Sequence, residues 1–247
     1  MPTLGRVIDL PVRETADLVS SAVANAASAT RRVTDEPGGV VDDWGRDPAL
    51  VRRIMTLCDL RWDITIGGDQ HLPRRAGALI VVNARRSALT SLFSAFAISR
   101  ATDRPVRFVG RDDTTPVGAL ARRLGGLIDH PVEVFGALRA GELVVMSTTA
   151  TRSSREVGRI DHTLVGAAVA ASTRVHPAAA MSSPLVRDAR IEIGPASRPP
   201  HKRRGPLVEL ELADRVGDEI GRLLEEMAGL DRRTPFDWLP FIGMGSD

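Results

Sequence analysis

The chain has 247 residues, 43% hydrophobic and 26% charged, which excludes a disordered chain and fits one large or two small globular domains. Its 33 basic and 31 acidic residues leave a net charge of +2, so bulk charge does not draw it to nucleic acid; the pI of 9.4 reflects cations that are arginines except for Lys202. A single cysteine, Cys58, excludes a disulfide framework and a cysteine zinc site and matches a reducing cytoplasm.

In chain order, Val12, Ala16, Val19, Val23 and Ala27 recur at helical spacing and predict a helix over 12–33, broken by Pro37-Gly38-Gly39. Asp47-Pro48 reads as a cap followed by a first-turn proline, opening a helix to about Leu60. Trp62, Ile64 and Ile66 alternate with polar residues and predict a strand closed by Gly67-Gly68. Ala78–Val82 is apolar throughout, as in a strand buried on both faces. A helix over Ser87–Ser99, a strand over Val106–Val109, a helix over Val117–Leu124 and a buried strand over Leu143–Met146 follow. Then come a helix over Leu164–Ala171, a weak strand over His176–Met181 and an alternating strand over Arg190–Ile193. The amphipathic helix Leu210–Met227 is read as core packing.

Strands alternating with helices predict an α/β class: a single domain with a largely parallel central sheet flanked by helices. The layout is a helical lead-in over 1–60, the α/β domain over 61–230 and an aromatic tail over 231–247. Met1–Leu10 lacks the basic start and apolar core of a signal peptide, and no apolar run nears the roughly 18 residues of a membrane span. There is no Gly-x-Gly-x-x-Gly, no phosphate-binding loop around Lys202 and no Gly-x-Ser-x-Gly elbow. The five histidines stand singly, without the helical spacing of a metal site, so no metal or other cofactor is expected.

From Val41 to Met227 the blocks follow an order that resembles the glycerophospholipid (lysophosphatidic acid type) acyltransferase family, in an actinobacterial-looking version. Val41–Pro48 is similar to that subgroup's lead-in, and Arg61–Gly67 through Pro73 to the strand before the first catalytic block. Ala78–Asn83 resembles the strand ending in Asn-His, and Arg104–Arg111 through Gly126 the second block. Gly141–Val145 through Ser153 resembles the third block, Arg174–Pro177 the fourth, and Ile191–Pro195 the strand after it. The resemblance implies a glycerol-phosphate acyltransferase-like fold, with Asn83 and Ser147–Arg152 meeting at the strands' C-terminal ends. It implies a His-x-x-x-x-Asp motif in which histidine takes the acceptor's proton and aspartate charges the imidazole.

The motif is missing. Ala84 stands at the histidine position and Leu89 at the aspartate position, and none of the five histidines has an aspartate five residues on. Thr149 and Ala150 replace the glutamate and glycine of the third block, while Thr151, Arg152 and Ser153 survive. No catalytic residue is therefore assigned. By the resemblance Arg152 faces a phosphate, a role suited to a guanidinium fork. Asn83, Arg85, Arg86, Arg111, Thr151, Arg152 and Ser153 are the candidate phosphate or ligand residues, Arg85 and Arg86 lying at a predicted helix start that favours anions. A solvated relic of a cleft is the other reading of these arginines.

Two functions stand open. One is a catalytically degenerate member that holds a phospholipid, an acyl thioester or a partner protein. The other is an active transferase using acyl-CoA or acyl-ACP as co-substrate, with Asp112, Asp113 or His130 as a non-standard base. Arginine doublets such as Arg31-Arg32, Arg122-Arg123 and Arg203-Arg204 suit an anionic membrane surface, at about 1 kcal/mol per residue, or simply solvated faces. Phe236, Trp238 and Phe241 suit a tail that packs on its own domain, or one that docks on a second copy, a partner or a membrane. The expected location is cytoplasmic, with the inner membrane face as a peripheral site, and no nucleic acid is expected.

Overall fold

Asp47 starts the first helix as its composition foretells: its Oδ1 accepts from the N–H groups of Ala49 and Leu50, both at 3.0 Å, and Pro48 needs no partner there. The computed structural model describes residues 41–61, 63–84, 90–111, 116–151, 156–182, 188–198 and 205–231. The helix expected over 12–33 and the aromatic tail lie outside them. The elements are α1 (Pro48–Arg61), β1 (Asp63–Gly67), a 3-10 turn (Asp69–His71), β2 (Ala78–Val82), α2 (Thr90–Thr102) and β3 (Val106–Arg111). They continue with α3 (Pro116–Arg123), β4 (Gly126–Ile128), α4 (Pro131–Arg139), β5 (Leu143–Ser147), α5 (His162–Ala170), β6 (Arg174–Ser182), β7 (Asp188–Ile193) and α6 (Pro206–Asp231).

The strands form one seven-stranded sheet in the order β1-β7-β6-β2-β5-β3-β4. β6–β2–β5–β3–β4 are mutually parallel, whereas β7 runs antiparallel to β6 and pairs in parallel with β1. Every residue of β2 is fully buried, as its unbroken apolar run requires. On one face Leu79, Val81, Val144, Met146 and Val175 pack against α4, α5 and α6, where Val134, Leu164, Val216 and Ile220 complete the core. On the other face α2 lies along β1, β2, β3 and β5. The result is the expected α/β domain with a largely parallel sheet between helices.

Two of these strands and helices have no counterpart in the sequence pattern. β4 has only three residues, too few to show a period, and α4 begins at Pro131 with His130 as its cap. Residues 41–60, assigned to the lead-in, belong to the compact unit that starts at Val41. Leu50 and Val51 are buried, and Asp42 and Asp47 bind Arg107 and Arg123, each at 2.6 Å.

His176, opposite Ile80 in the β2–β6 register, is wholly buried. Its Nδ1 donates to Gly194 O at 3.1 Å, whereas Nε2 is buried without a protein partner among the described residues. Burial holds its pKa below the usual 6.5, the Gly194 bond works against this, and nearby Arg174 and His71 add repulsion. Well above pH 6.5 the ring is neutral folded and unfolded, so it contributes nothing there. As pH falls further the unfolded chain takes the proton first, and stability drops by up to about 1.4 kcal/mol per pH unit until the folded ring titrates. The variant His176→Asn keeps a donor for Gly194 and is expected to lose this component of the decline in urea midpoint between pH 7 and pH 5. Identical slopes for the two proteins would refute the assignment.

Candidate functional site

β2 and β5 end as register partners, Val82 beside Ser147, and the two chains stay tied beyond the sheet. Thr148 N donates to Val82 O (2.9 Å), Ala84 N to Thr148 Oγ1 (3.0 Å), and Thr151 N to Ala84 O (3.2 Å). Asn83 and the segment from Ser147 to Thr151 therefore meet at the strands' C-terminal ends, where the resemblance places them. Ala84 is only 4% exposed, and both its backbone polar groups are occupied.

The segment after β5 is fastened a second time. Thr149 N donates to Arg159 O (2.9 Å), and Arg159 N donates to Thr149 Oγ1 (2.8 Å). Thr151 Oγ1 donates to Glu156 O (3.2 Å). The approach at Gly158 is so close that an added Cβ would lie 1.8 Å from Thr149 O, so only glycine fits without moving the backbone. The hydroxyl at the third block's glutamate position thus holds a loop.

Asn83 extends the β2–β6 pairing with its side chain. Its Nδ2 donates to Ala180 O (3.1 Å), and its Oδ1 accepts from Ala180 N (2.7 Å). The second Nδ2 hydrogen has no partner among the described residues. Arg111 ends β3 at the same edge, past an irregularity at Gly110 (φ 124°) that leaves both Val109 and Arg111 buried. Its Nη2 lies 3.4 Å from Glu133 Oε1, while Glu133 Oε2 accepts from Ile128 N at 2.9 Å. Glu133, which sequence reasoning passed over, sits in the first turn after Pro131, where an acidic residue is a recognisable helix-start signal. Thr148 and Gly158 carry no such signal in the chain.

His130 is spent on structure: its Nδ1 accepts from Val132 N at 3.3 Å as the cap of α4. A neutral ring that accepts there carries its proton on Nε2 and leaves no lone pair for a substrate. Arg85, Arg86, Leu89, Asp112, Asp113, Arg152 and Ser153 lie outside the described residues. Among the described residues no group of three His, Cys, Asp or Glu side chains is placed to hold a metal ion. None of the described helices is long and apolar enough to cross a membrane.

The sheet order and the joined ends of β2 and β5 define an α/β fold whose candidate site lies at the C-terminal ends of its parallel strands. Among solved structures the chain is similar to the 1-acyl-sn-glycerophosphate (LPA) acyltransferase, PlsC, from Thermotoga maritima. The TM-score is 0.52 at 18% identity, covering 73% of this chain and 77% of that one. At that identity the likeness is one of fold. No protein-family model and no curated protein sequence matches the chain.

Proposed function

We propose that this protein is a catalytically degenerate member of the glycerophospholipid acyltransferase group that binds lipid or acyl thioester without transferring the acyl chain. The observation that carries the reading is Ala84. The position where the family's base would stand has no proton acceptor, is buried, and is held through both of its backbone groups. Thr149, at the glutamate position, is bound to Arg159. His130, one of the substitute bases considered, is occupied as a helix cap.

In this reading Asn83, Arg85, Arg111, Thr151, Arg152 and Ser153 frame an anion pocket for a phosphate at the strand ends. Glu133 holds the Arg111 guanidinium there. The protein works in the cytoplasm and reaches the inner membrane face as a peripheral protein, with the aromatic tail serving a second copy or a partner. Purified protein incubated with long-chain acyl-CoA and a panel of lysophospholipids is expected to release no thiol above the enzyme-free rate. The same protein is expected to pellet with anionic liposomes. Thiol release abolished by His130→Ala, Asp112→Asn or Asp113→Asn would replace this reading with an active transferase using a non-standard base.

A further inference from the structure

A recess of about 240 Å³ opens between α1, β1 and α2, and it shares no residue with the strand-end corner. Met55 and Cys58 from α1, Ile64 and Ile66 from β1, and Phe93 and Phe96 from α2 line it. Among the described residues Arg100 and Asp59 are the charged pair of the lining, and both are about half exposed. The recess is smaller than the roughly 300 Å³ at which pockets for drug-sized molecules begin, so it suits a slender chain better than a ring system.

The rim carries one charge of each sign, and its cation has donors to spare. Among the described residues Arg100 Nη1 donates to Asp59 Oδ1 at 2.6 Å, and Arg100 Nη2 and Nε make no further bond. A guanidinium presents five N–H donors in a fork that fits a carboxylate, so donors are left over at this rim. A half-exposed ion pair of this kind contributes little to stability, so sharing Arg100 with a second carboxylate costs little. The lining meanwhile offers aromatic, branched and thioether surface, which gains from any methylene withdrawn from water.

We infer that this recess is a binding site for a medium-length aliphatic carboxylate, its chain between Phe93, Phe96 and Ile66 and its head on Arg100. The assignment rests on the lipid-binding reading above, but its test reads the recess alone. Cys58, the sole cysteine, lies in the wall and serves as the reporter. Burial pushes its thiol up to about 11, so alkylation is slow and occupancy is read as a change of rate.

The experiment follows N-ethylmaleimide labelling of Cys58 in the full chain with octanoate, decanoate, decanol or decylamine, each below its micellar concentration. Decanoate is expected to slow labelling at least tenfold at saturation. Apparent affinity is expected to rise about fourfold per methylene from octanoate to decanoate. Ala97→Trp, which fills the recess, is expected to remove the protection, with folding checked by circular dichroism. Arg100→Met, a change at a half-exposed position, is expected to bring decanoate down to the level of decanol. No protection by any chain, protection equal for decylamine and decanoate, or decanoate selectivity unchanged in Arg100→Met would each overturn the assignment. Protection without liposome pelleting would keep this site and discard the strand-end pocket; pelleting without protection would do the reverse.

Discussion

Replacing Arg107 by methionine is expected to cost the fold about 3 kcal/mol, read as a lower urea midpoint and a melting temperature lower by about 6–12 °C. Arg107 is 1% exposed although it sits on β3 inside the sheet. Its Nη2 lies 2.6 Å from Asp42 Oδ2, and its Nε lies 3.2 Å from Glu142 Oε2. Truncating it takes the buried hydrogen-bonding cation from two partly buried carboxylates and leaves only Arg46 close enough to act on both, and that imbalance is the main cost. Burial works against charge on Asp42, but hydrogen bonds from Arg107 and from the Arg46 backbone outweigh it and hold the carboxyl below its usual range. The stability that Asp42 contributes is therefore present above the unfolded value near 4 and is lost as pH falls through the folded value. In Arg107→Met that acid-side loss is expected to shrink, and adding Asp42→Asn and Glu142→Gln is expected to recover part of the midpoint. A single variant within 1 kcal/mol of the parent protein would show that the network is structurally idle.

Restoring the textual motif, Ala84→His with Leu89→Asp, is expected to yield no efficient acyl transfer and a protein less stable by about 1–3 kcal/mol. An imidazole at position 84 must enter space that leaves alanine only 4% exposed, between the Thr148 hydroxyl and Thr151 N–H that clamp its backbone. A base contributes typically 10²–10⁴-fold when it is positioned against its substrate, and here neither the positioning nor the charge stabilisation of the third block comes with it. Thr149 would remain tied to Arg159. The check is thiol release from acyl-CoA with lysophosphatidic acid as acceptor, together with urea unfolding of the same preparation. Turnover at the level of an ordinary acyltransferase would show that only the base and its partner were lost.

Much of the frame was legible because its elements bury whole faces. Ala78–Val82 and Leu143–Met146 are apolar without a break, and they became adjacent central strands, β5 running one residue further to Ser147. The weak strand at His176–Met181 became nine residues, Arg174–Ser182, because pairing with β2 and β7 on either side overrides the poor strand preference of three alanines. The last helix starts at Pro206, four residues before the amphipathic pattern, since a proline is tolerated at a first helical turn. α2 is described from Thr90 to Thr102, and Ser87–Leu89, where the pattern predicts its first turn, lie outside the described residues.

By itself the sequence determined the α/β class, six of the seven strands of the central sheet and the absence of a base at position 84, because hydrophobic period and residue identity are local properties. Only the tertiary structure decided that β7 runs against β6, that residues 41–60 pack into the domain through Asp42 and Asp47, and that residue 84 is clamped. It also decided that Asn83 bridges to Ala180 and that Arg111 is held by Glu133, 22 residues away. Each of these depends on which distant backbone or charge arrives at the same place, and a contact made across the sheet leaves no period in the chain that makes it.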